Sequence, residues 1–386
     1  AVHVARRLHG TRRAELRGVL DDLDGIAARG LLSASRLAPL FLTLERNRVW
    51  WARRPLLADR QRVGFPGSRL VWEHYRGHGI QIQMLASFGK ANGLWTGHFN
   101  PGLRSLLDEL LPLAAHRAGG LVWEGNFGFG GGAAGWASGL VQGTAVQALS
   151  RAGRRFHERR YMAAAHAGLA AFRAPPPLGV RQRTRVGARY LIYSFAPGEH
   201  VLNAFIQSLN GLFDLGKVAH DRLAARLFAA GDRQARRETP SYDTGAWSLY
   251  EPGVESDLNY HELVRDFLAH LCDRTSARVY CVTARRFTAY LHQPPRLVLL
   301  TRRVHAGAVS RVRFRLSKIS TVRIEIRRGR RLVLSGALTR GRGVGSFAWV
   351  PGGAGRYGVR LTARDAAGNL ATRRGVIAVS RSRGRR

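Results

Sequence analysis

The chain has little sulfur chemistry to offer. Two cysteines, Cys272 and Cys281, cannot by themselves staple a small fold or complete a four-ligand zinc site. Their spacing of nine suits either a disulfide in an oxidising compartment or two buried thiols. Long apolar runs are missing as well. The best stretch, Leu31 to Leu44, is broken by Ser33, Ser35, Arg36 and Pro39, whereas a membrane helix needs about 20 apolar residues. Familiar catalytic signatures are absent: there is no GxSxG, no HExxH and no CxxC. The histidines lack ligand spacing. His74 and His78 stand four apart, but Gly77 and Gly79 argue against a helix under them. Neither a metal site nor a cofactor is expected. The run Gly128-Phe129-Gly130-Gly131-Gly132 lacks the Lys-Ser/Thr of a phosphate loop and reads as a flexible loop leading into a helix near Trp136.

Acidic residues are scarce. Twenty-five Asp and Glu face 62 Lys and Arg, for a net charge of +37, and only Lys90, Lys217 and Lys318 among the cations are lysines. Codon bias toward arginine accounts for the choice of cation but not for the missing acids. A field of this sign attracts polyanions, whether nucleic acid, anionic glycan or an acidic cell surface. No recognised DNA- or RNA-binding motif supports specific nucleic-acid recognition. With 45% hydrophobic residues and eight Trp, sixteen Phe and ten Tyr, disorder along the whole chain is excluded. At roughly 150 residues per domain, the 386 residues allow two or three domains.

The charge is unevenly spread. From Pro294 to Arg386, twenty-three Lys and Arg face only Glu325 and Asp365. The pattern changes at His292-Gln293-Pro294-Pro295, where paired prolines end a helical stretch and make a short stiff linker. Beyond it Arg311, Arg313 and Arg315 interleave with Val312, Phe314 and Leu316, and residues 322–326 and 357–361 alternate likewise. Such period-two patterns between glycine-rich turns read as half-buried strands of a β-sandwich. Gly355-Arg356-Tyr357 followed by residues 363–369 resembles the last hairpin of immunoglobulin-like modules in bacterial extracellular proteins. Residues 381–386 read as a basic tail.

Before Pro294 the pattern is helical. Apolar residues fall at helical spacing over 104–116, 139–152, 158–172, 201–215, 218–230, 260–272 and 278–291. Helix pairs joined by short polar turns suggest an α/α toroid. The expected fold is therefore multidomain α+β. A helical extension over 1–65, read as packing without visible chemistry, precedes a toroid over 66–293, an immunoglobulin-like β-sandwich over 294–380 and the tail.

Four motifs stand out: residues 136–143 from Trp136, 190–215 around Tyr193 and Asn203, 242–250 ending at Tyr250, and Asn259-Tyr260-His261. In order and approximate spacing, from Trp136 to Leu291, they resemble the C-terminal catalytic domain of D-glucuronyl C5-epimerases. The resemblance implies cofactor-free inversion of C5 in glucuronate-type residues of an anionic polysaccharide, of the heparan or heparosan kind. That chemistry removes the proton α to a carboxylate and returns one on the opposite ring face, with a cation holding the carboxylate as it becomes enolate-like. Tyrosines are the implied acid and base, and the matching positions are Tyr193, Tyr250 and Tyr260.

A phenol of reference pKa about 10 needs nearby cations to act as a base. Arg181, Arg183, Arg185 and Arg189 lie just upstream of Tyr193, and any of them is a candidate for the carboxylate. Asn203 caps or braces its helix, His261 orients Tyr260 or binds substrate, and Trp136 stacks on a sugar ring; each residue also has a plain packing reading. Two positions depart from the animal enzymes. Ile192 replaces an acidic residue and Gly253 an arginine, which leaves the substrate open. A polysaccharide lyase shares the first proton abstraction, and a non-catalytic glycan- or wall-binding protein is the alternative outside enzymology. A glycan substrate and the appended module favour an extracytoplasmic or secreted location, any signal peptide lying outside this sequence.

Overall fold

A computed structural model describes residues 1–381, so the expected tail, Arg381 apart, lies outside the described residues. The chain divides into two compact units, Ala1–Arg237 and Glu238–Arg386. This division falls inside the stretch 66–293 and leaves Tyr193 in one unit and Tyr250 and Tyr260 in the other.

The first unit opens with helices α1 (Val2–Arg7), α2 (Gly10–Ala28) and α3 (Ala34–Arg53). A small antiparallel sheet follows, β1 (Arg62–Val63), β2 (Trp72–Tyr75) and β3 (Gly79–Ile82), then α4 (Met84–Thr96) and α5 (Asn100–Leu110). The helix expected to run to 116 stops at 110 because Pro112 cannot continue it; the chain passes through a 3-10 turn into the hairpin β4 (Ala115–Arg117) and β5 (Gly120–Val122). Next come α6 (Gly139–Phe156), α7 (Arg159–Ala167), α8 (Ala170–Arg173), the hairpin β6 (Arg181–Arg183) and β7 (Ala188–Tyr190), α9 (Leu202–Val218) and α10 (Arg222–Glu238). The α7–α8 break at Gly168 splits what its spacing suggested was one helix.

At the centre of this unit α6 and α9 are buried along nearly their whole lengths. Glycines let them touch: a Cβ on Gly143 would lie 2.6 Å from the Ser208 Cα, and one on Gly211 would lie 2.1 Å from the Gly143 carbonyl oxygen. A second buried centre is ionic. Arg36 forks onto Glu124 at 2.7 and 2.8 Å, and Arg117 reaches the same carboxylate at 2.6 Å.

The second unit begins with the hairpin β8 (Leu249–Glu251) and β9 (Val254–Glu255) and the helix pair α11 (Leu258–Thr275) and α12 (Arg278–Tyr290). Cys272 and Cys281 form a disulfide across the turn between the helices, which settles the choice their spacing left open. Eight strands follow: β10 (Leu297–Leu299), β11 (Arg303–His305), β12 (Ser310–Leu316), β13 (Ser320–Arg328), β14 (Arg331–Arg340), β15 (Gly343–Trp349), β16 (Gly355–Asp365) and β17 (Leu370–Ser380). They make a three-stranded sheet ordered β10-β12-β15 and a five-stranded one ordered β11-β17-β16-β13-β14. Alternate residues of both, among them Val312, Phe314, Ile324, Phe347 and Leu361, share one apolar core.

The Pro294-Pro295 joint is tied down inside this unit. The buried Lys318 Nζ lies 2.6 Å from Asp365 and donates to the carbonyls of Tyr290 and Gln293, while Asn369 donates to that of Leu291. Among the described residues no helix is long and apolar enough to cross a membrane.

Candidate active site

Tyr250 and Tyr260 are brought together by two local devices. Pro252 and Gly253 turn β8 into β9, and Gly253 adopts φ 86°, the conformation glycine supplies after proline in a type II turn. The arginine expected there by family likeness would be strained at that φ. Asp257 then caps α11, its carboxylate accepting the Tyr260 N–H at 2.8 Å, which sets Tyr260 in the first turn. Tyr250 is half-buried and Tyr260 is 37% exposed; their ring centroids lie 4.6 Å apart at 48°. Rings this close leave no room for a sugar between them.

Beneath the pair lies a rigid pedestal. Trp247, fully buried, stacks on the fully buried His261 at 3.7 Å and 7°. Its indole N–H donates to the Ser256 carbonyl at 2.8 Å. His261 Nε2 meets the Phe287 carbonyl at 3.0 Å, so that nitrogen carries the proton, and Nδ1 accepts the Ser248 N–H at 3.2 Å. Burial pushes the imidazole down to about 4, and the charges of Lys318 and Arg265 act in the same direction against the Phe287 carbonyl. His261 is therefore neutral at pH 7, has no surface to offer a substrate, and serves as the support from which Tyr260 projects.

Tyr193 and Trp136 meet in the first unit. Ala137 and Ser194 exchange bonds, the Ser194 N–H to the Ala137 carbonyl at 2.8 Å and the Ala137 N–H to the Ser194 Oγ at 3.0 Å. This register sets the half-buried Tyr193 edge-on to Trp136 at 5.4 Å and stacked on Phe195 at 5.1 Å. Phe127 and Phe129 also contact Trp136, and Tyr75 contacts both, completing an aromatic basin.

The glycine run that supports this basin is not a flexible lead-in. Phe129 and Gly132 exchange two backbone hydrogen bonds around Gly130 and Gly131, both at positive φ, and the following helix starts at Gly139 with Ser138 as its cap. A Cβ on Gly132 would strike the Phe195 ring at 2.3 Å, and one on Gly125 would strike Trp136 at 2.2 Å. The N-terminal helices hold this arrangement: Asp22 accepts the Gly128 N–H at 3.0 Å and sits 2.9 Å from His78 Nδ1, and Glu15 lies 3.1 Å from His74 Nε2.

Tyr75, Phe127, Phe129, Phe195 and Arg60 escaped the sequence reading. Phe127 and Phe129 carried a signal, as aromatics set beside and within the glycine run, whereas Arg60, Tyr75 and Phe195 lie far from it in the sequence. Arg60 lies 4.4 Å over the Tyr75 ring, 5.3 Å over Phe129 and 3.5 Å from Glu73. Burial and the Glu73 carboxylate raise the Tyr75 phenol well above its ordinary range against the pull of Arg60, so it remains protonated.

The four expected arginines do not form one cluster. In the β6–β7 register Arg181 faces Tyr190 and Gln182 faces Arg189, so Arg181 and Arg183 share one face of the hairpin and Arg189 takes the other. Arg189 is buried 5.3 Å over Phe205. Arg183 and Arg185 are exposed near the hairpin turn. Arg181 lines a cavity of about 540 Å³ with Arg173 and Arg226. Asn203 is not a cap, since α9 begins after Val201 without a side-chain cap; it is buried, and its amide oxygen and nitrogen have no hydrogen-bond partner among the described residues.

Residues 120–289 match the family described as D-glucuronyl C5-epimerase C-terminus. All three tyrosines fall inside the match, whereas Arg60 and Tyr75 fall outside it. A D-glucuronyl C5-epimerase of Caenorhabditis elegans is 32% identical over 130 residues, 30% of this chain and 21% of that protein. An uncharacterized protein of Methanocaldococcus jannaschii is 27% identical over 168 residues, 42% of this chain and 54% of that one. The chain thus spans about a fifth and about half of the lengths of these two relatives. The solved cellobiose 2-epimerase of Spirochaeta thermophila shares 13% identity at a TM-score of 0.44, with 73% of each chain covered, a likeness too distant to bear on activity.

Proposed function

We propose that the chain is a carbohydrate epimerase that inverts C5 of uronate residues in an anionic polysaccharide, using tyrosines and no cofactor. The helical part is read as an α/α toroid and the C-terminal two-sheet region as an immunoglobulin-like module. The observation that carries the reading is the Tyr250–Tyr260 pair, 4.6 Å apart and half open, inside the segment that matches the epimerase family.

Because the two rings are in contact, they serve one face of the sugar. One of the two phenols, as its phenolate, takes the C5 proton. The C–H electron pair passes into the carboxylate, and a proton returned on the other face completes the inversion. That second proton requires a group other than this pair. The Cys272–Cys281 disulfide fits an oxidising, extracytoplasmic location.

The test is solvent deuterium entering C5 of heparosan, chondroitin or alginate, read by proton NMR. Tyr250→Phe and Tyr260→Phe are each expected to lower exchange at least about a hundredfold, the range of a lost general acid or base. Exchange unchanged in both Tyr250→Phe and Tyr260→Phe would refute the assignment. Absorbance growing near 230 nm (roughly, for an unsaturated uronate) with chain cleavage would instead identify a lyase. Gly253, which stands where the animal enzymes carry an arginine, favours one second reading: a glycan-binding protein that has lost turnover. Polymer binding without any exchange is its signature.

A further inference from the structure

The three-stranded sheet of the second unit carries a feature that its own stability does not ask for. Along β12 the burial alternates strictly, with Val312, Phe314 and Leu316 in the core and Arg311, Arg313 and Arg315 exposed on the other face. Successive same-face residues stand about 6.8 Å apart at the usual strand rise, so three like charges sit in a row. Their cross-strand neighbours do nothing to offset them. Arg311 pairs with Ala348, Arg313 with Ser346, and Arg315 with Val344 on one side and Val298 on the other. No carboxylate bonds to any of the three guanidinium groups among the described residues. A row of unshielded like charges over a floor of small side chains is unfavourable alone and favourable under a polyanion.

The row runs into a cavity. Arg315 also lines an opening of about 540 Å³ together with Arg296, Arg342 and Thr244. The guanidinium groups of Arg296 and Arg342 likewise have no carboxylate partner among the described residues. Thr244 belongs to the segment that carries Tyr250: its Oγ takes the Trp247 N–H at 2.9 Å and donates to the Trp247 carbonyl at 2.8 Å. Glu255, paired across the hairpin with Leu249, accepts the N–H groups of Ile319 at 3.0 Å and Arg342 at 2.6 Å, which fixes the tyrosine hairpin against the strands. The positions of the arginine row, the cavity and the hairpin are thus mutually determined inside one compact unit.

We propose that Arg311, Arg313 and Arg315, with Arg296 and Arg342 at the cavity, form a track that holds an extended uronate polysaccharide and delivers it toward the Tyr250 hairpin. This deepens the proposed function and rests on it for the identity of the polymer. A nucleic acid fits the track less well. Single strands are held by aromatic platforms, and on these strands Phe314, Phe347 and Trp349 all point into the core. Forked guanidinium groups over Ala, Ser and Val suit carboxylates, which they bind two bonds at a time.

The experiment compares two triple variants of the full chain that remove equal charge. Arg311→Ala/Arg313→Ala/Arg315→Ala empties the track. Arg323→Ala/Arg360→Ala/Arg374→Ala strips exposed arginines from the five-stranded sheet instead. Binding of fluorescent heparosan fragments is followed by anisotropy over a salt series, with single-stranded DNA as competitor and near-ultraviolet circular dichroism checking the fold. The track variant is expected to bind heparosan at least tenfold more weakly with a flatter salt dependence, and the other variant within twofold of wild type. Equal losses in both would show that net charge alone attracts the polymer and would overturn the track. DNA displacing heparosan at equal charge concentration would overturn the choice of occupant. Tyr250→Phe is measured alongside: binding lost only in the track variant, with C5 exchange absent from wild type, would sink the epimerase reading and leave the track standing.

Discussion

Lowering the pH from 7.5 to 5 is expected to loosen the second unit through one imidazole. His261 is held neutral in the folded chain, its pKa pushed down to about 4 by burial, whereas in the unfolded chain it titrates near 6.5. The unfolded state therefore takes the proton first as the pH falls. Stability that is fully present above 6.5 is lost progressively down to about 4. Linkage puts the loss at about 2 kcal/mol by pH 5 and about 3 kcal/mol at its limit, out of a typical total of roughly 5–15 kcal/mol.

The assay is urea unfolding followed by Trp fluorescence at pH 7.5 and 5.0, for wild type and His261→Phe. The variant keeps an aromatic ring on Trp247 but loses the bonds to Ser248 and Phe287. It should be less stable than wild type by about 1–3 kcal/mol at pH 7.5. Lacking the acid-sensitive group, it should close that gap by about 2 kcal/mol at pH 5. Other titrating groups, including His74, are common to both proteins and cancel. A gap that stays the same at both pH values would refute the idea that a buried neutral imidazole supports this hairpin.

Other outcomes follow from the same geometry. Reducing the disulfide, or Cys272→Ser, should cost the α11–α12 pair about 2–3 kcal/mol by denaturant titration, the amount expected for so short a loop. Arg36→Met should destabilise the first unit by about 3 kcal/mol in the same measurement, because it strips one cation from the buried Glu124 and leaves only Arg117. Gly132→Val should drive Phe195 off Tyr193 and shift the Trp136 fluorescence, while Gly198→Ala, with open space where its Cβ would be, should leave the emission unchanged. The Glu15–His74 contact has a pH window set by both partners. Burial lowers the His74 pKa but the carboxylate beside it raises it on balance, so its contribution is complete below about 6.5 and fades above the raised value. Burial works to raise Glu15, yet His74 and the amides of Gly79 and Gly77 bring it down, so its contribution is present above about 4.5 and fades as the pH falls through the lowered value. Proteolysis of the N-terminal helices should accordingly be slowest in mildly acid buffer.

Periodicity, which is a local property, was enough to locate α6, α9, α11 and α12 and the alternating strands beyond Pro294, because each apolar stripe or alternation records which side of an element faces a core. The tyrosine motifs were legible for the same reason: each lies within a few residues of the turn or cap that shapes it, as Asp257 does for Tyr260. What a side chain does once placed depends on partners far along the chain, and that only the tertiary structure decided. His261 was an open choice until Ser248 and Phe287, 13 and 26 residues away, claimed both ring nitrogens. The arginines before Tyr193 were split by a strand register, which sends adjacent residues to opposite faces. The glycine run became a fixed support because Phe129 and Gly132 bond to each other and Phe195 occupies the space a Cβ would need. Composition fixed the sign of the protein's field, but which arginines stand together over a clear floor was set by β12 meeting β15 and β10 in one register.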